Sequence, residues 1–288
     1  LCQRDICTFE QAKHFFRPSL NDLHDPFLMK DMDRAVNRLN EALHNGEKIL
    51  VYGDYDVDGT TSVALMYSFL HNYTSQIDFY IPDRYKEGYG VSQQGIDWAA
   101  EHKFSLIISL DCGIKSADKV AYAAEKGIDF IICDHHLPDE DIPQAVAVLD
   151  PKQVDCPYPY KELSGCGVGF KLIQAFCIQN NIEQEEAYRL LDLLVVSIAS
   201  DIVPITGENR ILAYYGLQHL NGPQPLRPGL DALKELAAIT GEMDITSIVF
   251  GFAPRINAAG RMGDAKNSVR MLLAQSKEEA FRMADIIN

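Results

Sequence analysis

Short apolar runs alternate with amphipathic segments through the first half of the chain. The apolar runs predict strands at residues 49–52, 77–81, 106–110, 130–133 and 145–149. The segments between them have the periodicity of helices, at residues 61–71, 94–101 and 117–125. Because the strands are almost continuously apolar and alternate with helices, the pattern predicts an α/β fold with a parallel β-sheet flanked by helices.

The sequence on either side of this alternation has a helical pattern. After residue 151 it predicts helices at residues 170–178, 185–200, 207–220 and 230–239, with a linker at 221–228 and a loop at 252–263. We therefore expect three parts: an N-terminal helical segment of residues 1–46, an α/β domain of residues 47–220 and a helical extension of residues 221–288.

Composition narrows the class of protein. The chain has 288 residues, 47% of them hydrophobic and 23% charged, as in ordinary globular proteins. No apolar run approaches the roughly 20 residues of a membrane span, and the polar start does not resemble a secretory signal. Seven cysteines without framework spacing favour the cytoplasm. The lack of an initiator Met and of a final helix stop signal predicts a fragment of a longer protein.

The chain is acidic, with a net charge of −15. This charge argues against a protein that binds nucleic acid over its whole surface, because such proteins normally carry a basic face. It leaves room for a local basic groove. Carboxylates gathered in a catalytic pocket also add negative charge, which bound metal would offset.

Chemically active side chains follow the predicted strands at their carboxyl ends. They are Asp54, Asp56 and Asp58 after the first strand, Asp111 after the third, Asp134, His135 and His136 after the fourth, and Asp201 after an apolar helix. Because the carboxyl ends of parallel strands share one edge, we expect these groups to converge. Carboxylates with one or two imidazoles suit Mg²⁺ or Mn²⁺. Two such ions could share Asp111 as a bridge and activate a water for attack at phosphorus.

Simpler interpretations exist for these aspartates. Taken singly, each could be a helix cap or a turn former. The spacing of Asp54, Asp56 and Asp58 also starts like a calcium-binding EF-hand loop, but the twelfth position, which needs a glutamate, is Leu65. Residues 56–60 match the nucleophile motif of haloacid-dehalogenase-like phosphatases. That alternative leaves the Asp-His-His triplet without a role.

Four segments together resemble the motifs of the DHH phosphoesterases. They are residues 54–59, 109–113, 133–136 and 197–201, in this order. Two further stretches, residues 81–90 and 254–263, resemble the RecJ branch of that family, the bacterial single-strand-specific 5′→3′ DNA exonucleases. The resemblance implies that residues 47–220 are the DHH catalytic domain and that residues 221–288 lead toward a further, DHH-associated domain.

The resemblance also implies a reaction and residue roles. The implied reaction is hydrolysis of single-stranded DNA from its 5′ end with two Mn²⁺ or Mg²⁺ ions, in DNA repair and recombination. The implied metal ligands are Asp54, Asp56, Asp111, His135 and Asp201. The implied catalytic residues are His136, which contacts the scissile phosphate or assists proton transfer, and Asp58, which ligates metal or anchors its loop. The implied substrate contacts are Arg84, Arg255, Asn257 and Arg261.

Two other functions stay open at the level of sequence. Another DHH phosphoesterase would act on short oligonucleotides, cyclic dinucleotides or pyrophosphate, and the stretches around Arg84 and Arg255 favour the exonuclease over it. A RecJ-like scaffold protein without catalysis would lack metal ligands, and every expected ligand is present here. Single-stranded DNA is the expected partner, and other DNA-repair proteins are compatible with this function.

Overall fold

A parallel sheet brings the ends of its strands to one edge. The structure, a computed structural model, describes residues 1–2, 6–261 and 265–287, and the side chains of all of these but 259–261 and 285–287. In this part of the chain the strands are β1 Ile49–Gly53, β2 Ile77–Tyr80, β3 Leu106–Leu110, β4 Asp129–Cys133 and β5 Ala147–Leu149. All pair in parallel, in the order β2-β1-β3-β4-β5. The predicted α/β fold is confirmed.

Helices cover both faces of this sheet. In chain order, those of the described residues are α1 Phe9–Phe16, α2 Met32–Asn45, α3 Val57–Leu70, α4 Gln93–Glu101, α5 Ala117–Glu125, α6 Gly165–Gln179, α7 Glu185–Tyr188, α8 Leu191–Ser200, α9 Gly207–Asn221, α10 Pro228–Leu236, α11 Ile245–Ser247, α12 Ala253–Arg261, α13 Ala265–Leu273 and α14 Lys277–Ile287. None is long and apolar enough to span a membrane.

Alternate residues of the central strands face two hydrophobic layers. On β1, Ile49 and Val51 belong to a layer with α2, α3, α6 and α8. Leu50 and Tyr52 belong to a second layer with α4 and α5. All four side chains are fully buried. Because helices exclude water from both faces, every position of the strand must be apolar, which explains the uninterrupted run in the sequence.

The strand order reverses beside β1. The chain passes from β1 to β2 on one side and then crosses to β3 on the other. In open α/β sheets a crevice forms at such a point, beyond the carboxyl ends of the strands. Asp54 directly follows β1 and Asp111 directly follows β3, so both lie at this crevice.

Several helices differ from their predicted bounds: α6, predicted at residues 170–178, starts at Gly165, and α10, predicted at residues 230–239, is Pro228–Leu236. The helix predicted to start at residue 61 is α3, which starts at Val57 because the Asp56 carboxylate caps it, accepting the N–H of Gly59 at 2.9 Å. The helix predicted at residues 185–200 is two helices, α7 and α8, with a turn between them at residues 189–190. Because α3 starts at Val57, Asp58 lies in the first turn of a helix rather than in a loop.

The loop predicted at residues 252–263 is wrong over residues 252–261, and residues 262–263 lie outside the described part of the chain. The structure has a π-helix, Ile248–Phe252, that continues into α12. Pro254, which has no N–H to donate, lies where the wide turn passes into the α-helix. The guanidinium of Arg255 donates to the carbonyl of Gly251 at 2.8 Å. Residues that normally break helices are therefore accommodated by a widened turn.

A buried ion pair fastens the N-terminal segment to the rest of the chain. Lys171 on α6 and Glu208 on α9 are 0% and 1% exposed, with Nζ and carboxylate 2.7 Å apart. Glu208 also accepts the N–H of His24 at 2.9 Å, and the Lys171 ammonium donates to the carbonyl of His24 at 3.2 Å. The segment before α2 is thus held by both charged partners.

The C-terminal helices pack against the sheet domain. Helix α13 lies against α3, and α10 packs with α13 and α14. Arg227, directly before α10, forms an ion pair of 3.0 Å with Asp192 on α8. The boundary predicted at residue 221 coincides with the end of α9. The division into three parts stays a prediction.

Candidate metal centre

Asp54 and Asp56 lie at the start of the crevice, between β1 and α3. Asp54 is fully buried, and its Oδ1 accepts the N–H of Gly90 at 3.3 Å. Its Oδ2 has no hydrogen-bond partner among the described residues. Burial and then the charge of Asp56 raise the pKa of Asp54 to about 7. Burial and the charge of Asp58 also raise the pKa of Asp56. Carboxylates held in this way are stabilised by a cation.

Asp111 lies at the centre of the cluster, after β3. Its backbone has a φ of +58°, a left-handed conformation that aspartate and asparagine tolerate better than most residues. A Cβ atom on Gly165, at the start of α6, would lie 2.6 Å from the Cβ of Asp111, so only glycine permits this close approach. Burial, followed by the charge of Asp58, raises the pKa of Asp111 well above its ordinary value.

The imidazole of His135 is surrounded by carboxylates. Its Nε2 lies 3.1 Å from Asp111, 3.6 Å from Asp201 and 3.7 Å from Asp58. The Nδ1 atom of His135 and one oxygen of Asp201 have no hydrogen-bond partner in the described part of the chain. Burial, followed by the charge of Asp58, raises the pKa of Asp201 to about 6. The structure thus brings side chains from β3, β4 and α8 to one point, as the sequence predicts.

Asp134 holds the adjacent His136. Its buried carboxylate accepts the backbone N–H groups of Ile114, His135 and His136, and the Nδ1 of His136 at 2.7 Å. Burial alone would raise the pKa of Asp134, but the hydrogen bond from His136 and its charge outweigh burial and lower it. The same hydrogen bond raises the pKa of His136. Sequence reasoning placed Asp134 at this edge but assigned it no role; a carboxylate that orients an imidazole is a common companion of metal sites.

Asp58 is bonded through both of its oxygens. It accepts the N–H groups of Gly165 at 2.7 Å and Cys166 at 2.9 Å, and the hydroxyl of Ser197 at 2.7 Å. The carboxylate therefore binds the N-terminus of α6, where the helix dipole favours an anion. Of the two roles that the sequence left open, this geometry favours the anchor, and the catalytic role of Asp58 stays a prediction.

The crevice continues into a cavity of about 300 Å³ beside the β1 carboxylates. Its lining consists of Asp54, Tyr55, Asp56, Arg84, Tyr89 and Asn257. The guanidinium of Arg84 lies over the ring of Tyr55, 5.1 Å from its centroid. Two of the four predicted substrate contacts, Arg84 and Asn257, thus reach the site. The two tyrosines were not predicted from the sequence as site residues, although both lie within the candidate motifs, at residues 54–59 and 81–90.

The other two predicted substrate contacts are placed differently. The half-buried Arg255 donates to the carbonyls of Gly251 and Leu236, both at 2.8 Å, so its guanidinium joins two helical segments. Its contact with substrate stays a prediction. Arg261 lies at the end of α12, and its side chain is outside the described residues.

The donor set suits hard divalent cations. One ligand atom from each of Asp111, His135 and His136 lies within 4.8 Å of the others, and the same is true of Asp58, His135 and Asp201. Several buried oxygens and one ring nitrogen of this cluster have no hydrogen-bond partner among the described residues. A bound cation would coordinate these atoms and stabilise the charged form of the carboxylates, whose pKa values are raised. Oxygen-rich ligands with imidazole fit Mn²⁺ and Mg²⁺.

Because the pKa values of these carboxyl groups are raised, we expect the protein without metal to lose stability as pH rises from 5 to 8. The pKa values of about 7 for Asp54 and about 6 for Asp201 mean that the folded protein holds protons that the unfolded chain releases near pH 4. The raised pKa of His136 acts in the same direction, because its stabilisation fades as the imidazole loses its proton.

Urea unfolding at several pH values measures this loss, which we expect to total about 2–4 kcal/mol, since one pKa unit corresponds to about 1.4 kcal/mol. Mn²⁺ must displace the same protons, so its affinity should rise over the same range. Saturating Mn²⁺ should therefore remove most of the loss. Stability and Mn²⁺ affinity that are both flat between pH 5 and 8 would contradict this assignment of the cluster.

Comparison with known proteins identifies the family. Residues 48–198 match the model of the DHH family, N-terminal domain. The chain belongs to the DHH family. The match covers every strand of the sheet and the four candidate ligands that follow β1, β3 and β4, so the DHH domain is the part of the chain that holds most of the candidate centre.

The chain is similar to DHH-family proteins that are named as exonucleases. It is 41% identical over 288 residues to the single-stranded-DNA-specific exonuclease RecJ of Bacillus subtilis, covering 99% of this chain and 35% of that protein. It is 35% identical to RecJ of Escherichia coli, covering 89% of this chain and 46% of that protein. A crystal structure of exonuclease RecJ bound to manganese superposes with a TM-score of 0.83 at 32% identity, over 93% of this chain and 66% of that one. The chain thus spans between a third and a half of the length of these curated relatives.

Proposed function

We propose that this chain is the catalytic part of a metal-dependent, single-strand-specific 5′→3′ DNA exonuclease that uses two Mn²⁺ or Mg²⁺ ions. The observation that carries the proposal is the set of three carboxylates within 3.7 Å of one nitrogen of His135. Relatives named RecJ, and a RecJ structure bound to manganese, support the same function. Asp54, Asp56, Asp111, His135 and Asp201 would hold the ions.

The residues around the candidate ligands would have separate roles in hydrolysis. When bound, the ions supply an activated water and neutralise charge on the phosphate. Asp134 accepts from Nδ1 of His136, which leaves Nε2 as the ring atom that can contact phosphate or carry a proton. The hydroxyl of Tyr89 lies 3.1 Å from that Nε2 and helps to orient the ring.

The cavity beside the β1 carboxylates supports a nucleotide substrate. Arg84 offers a guanidinium that matches phosphate oxygens. Tyr55 and Tyr89 pack edge to face, with ring centroids 6.2 Å apart, and offer faces on which a base can stack. Pyrophosphate has no base and would leave these rings without a function. This combination favours a substrate that carries bases over pyrophosphate, and a substrate panel is needed to separate DNA from cyclic dinucleotides.

We also propose a place in DNA repair and recombination in the cytoplasm. The named relatives act on single-stranded DNA, the substrate that such processes generate. The seven cysteines are all unpaired, five of them buried, which suits a reducing compartment. Partners among other DNA-repair proteins are part of this proposal.

A substrate panel with an arginine variant tests the proposed function. We expect the chain with Mn²⁺ to release mononucleotides from 5′-phosphorylated single-stranded DNA, and to act more slowly on duplex DNA, cyclic dinucleotides and pyrophosphate. Arg84→Ala should lower kcat/KM on DNA by about 10- to 100-fold, because a charge-assisted hydrogen bond to phosphate is lost. Arg282→Ala, at an exposed position on α14, is the matched control and should have no effect.

Two outcomes count against the exonuclease. Faster hydrolysis of pyrophosphate or of cyclic dinucleotides than of DNA would favour another DHH phosphoesterase. Bound Mn²⁺ without hydrolysis of any of these substrates would favour a scaffold protein.

A further inference from the structure

The loop of residues 81–92, which carries Arg84 and Tyr89, is tied together by one side chain. The Oε1 atom of Glu87 accepts the backbone N–H of Asp83 at 2.8 Å. Its Oε2 accepts the hydroxyl of Ser92 at 2.5 Å, at the C-terminal end of the loop. A single carboxylate thus links both ends of the loop.

A hydroxyl network connects the same carboxylate to the sheet. Oε2 of Glu87 also accepts the hydroxyl of Tyr80, the last residue of β2, at 3.0 Å. The fully buried Tyr52 on β1 stacks on Tyr80 with ring centroids 5.3 Å apart. The hydroxyl of Tyr52 accepts the N–H of Ser92 at 3.1 Å and donates to the carbonyl of Gly90 at 3.2 Å. Glu87 is the charged acceptor of this network.

The other side of the loop contacts the candidate metal centre. The N–H of Gly90 donates to Asp54 at 3.3 Å. The hydroxyl of Tyr89 lies 3.1 Å from Nε2 of His136 and 3.3 Å from the backbone carbonyl of Asp111. Three groups of the centre therefore take their orientation partly from two consecutive loop residues.

The backbone on either side of Tyr89 has conformations that favour glycine. Gly88 and Gly90 have φ values of +87° and +79°, in the region that glycine enters without strain. A Cβ at Gly88 would meet nothing within 4 Å, so packing does not fix this turn. Because two glycines flank Tyr89, local backbone preference does not fix the loop, and the hydrogen bonds of Glu87 and of the Tyr52 hydroxyl supply the constraint.

We propose that Glu87 is a positioning residue for the metal centre: it fixes the loop of residues 81–92 so that Gly90 holds Asp54 and Tyr89 holds His136. Its carboxylate bonds to Tyr80, Asp83 and Ser92 and not to the candidate ligands, so it acts through the loop. The effect on hydrolysis rests on the proposed function, whereas the effects on loop order and on cation affinity do not.

Trypsin and a manganese titration test this role in the 288-residue chain. The exposed Arg84 makes the loop a trypsin substrate when it opens, and the Arg84–Tyr85 bond is the same in every variant, whereas the bond after Lys86 includes Glu87 itself. We expect Glu87→Ala to speed cleavage after Arg84 and to weaken Mn²⁺ binding, each by about 10-fold, because three hydrogen bonds are lost. Glu101→Ala, exposed at the end of α4, is the control and should change neither quantity.

Two milder variants separate positioning from misfolding. Glu87→Gln keeps an acceptor for the N–H of Asp83, and Tyr80→Phe removes only the hydroxyl that donates to Glu87. Both should fold like the original chain and weaken Mn²⁺ binding less than Glu87→Ala does. This order of effects is expected of a positioning residue and not of general unfolding.

Specific results would overturn the proposal. If Glu87→Ala changes neither cleavage nor Mn²⁺ affinity by more than about twofold, Glu87 does not fix the loop. If cleavage accelerates while Mn²⁺ affinity is unchanged, Glu87 braces the loop without positioning the centre, and the proposal is again wrong. A chain that binds Mn²⁺ but hydrolyses no DNA would instead reject the proposed function, because both readouts used here are independent of hydrolysis.

Discussion

Replacing Asp111 with asparagine is expected to abolish Mn²⁺-dependent hydrolysis and, without metal, to stabilise the protein. Asp111 is buried among Asp56, Asp58 and Asp201, whose charges, after burial itself, raise its pKa. A neutral amide removes this repulsion but cannot bridge two cations. We expect activity to fall by about 1,000-fold or more. The free energy of unfolding without metal should increase by about 1–2 kcal/mol, which corresponds to a few degrees in Tm.

Asparagine is the appropriate replacement because of the backbone at this position. With a φ of +58° at Asp111, alanine would add strain of about 1–2 kcal/mol, so Asp111→Ala would confuse strain with the loss of a ligand. Asp31 also has a positive φ, of 63°, at the start of α2, and Asp31→Asn is the matched control. Mn²⁺ affinity retained within about tenfold in Asp111→Asn would reject Asp111 as a bridging ligand.

The convergence of the candidate ligands after the strands was predictable, because the edge that they share follows from the sheet alone. Asp54 and Asp111 each follow a strand that reads as apolar and continuous, and the parallel order brings the two strand ends together. The hydrogen bonds of Asp58 were not predictable, since its donors on Gly165 and Cys166 lie more than 100 residues away in the chain. Local spacing carries no information on such a partner.

The fold, like the site, was predictable where the signal is local and not where it depends on distant contacts. Both faces of the sheet are covered by helices, which leaves a strong signal in the sequence as uninterrupted apolar strands. The residues around Pro254 read as a loop because proline and glycine normally end helices. Their helix is stabilised by the guanidinium of Arg255, which donates to the carbonyl of Leu236, 19 residues earlier. A tertiary contact of this kind overrides local preference and is not visible in the sequence.

Replacing Glu208 with alanine is expected to have the largest effect on stability. The ammonium of Lys171 would then lie in a fully buried position without its carboxylate, and burial already lowers the pKa of Lys171. The hydroxyl of Tyr158, which donates to Glu208 at 2.6 Å, and the N–H of His24 would lose their acceptor as well. Breaking a buried ion pair from one side costs about 3–5 kcal/mol. Urea unfolding measures this loss directly.

A double-mutant cycle shows whether the cost arises from the unpaired charge. Glu208→Gln keeps an acceptor for Tyr158 and His24 but leaves Lys171 unpaired, so it should be destabilising on its own. Adding Lys171→Met removes the charge and should recover much of the loss, because neutral replacements of a buried pair are often tolerated. The exposed pair of Lys277 and Asp231, 3.1 Å apart, is the control, and its loss should cost less than about 1 kcal/mol.

Limited proteolysis links this ion pair to the N-terminal segment. Because Glu208 and Lys171 both bond to the backbone of His24, the loss of Glu208 should release the residues before α2 at urea concentrations below the main transition. Trypsin would then cut after Lys13 while the sheet stays folded. If Glu208→Ala costs less than about 1 kcal/mol, the ammonium is solvated in the folded protein, and the pair does not fasten this segment.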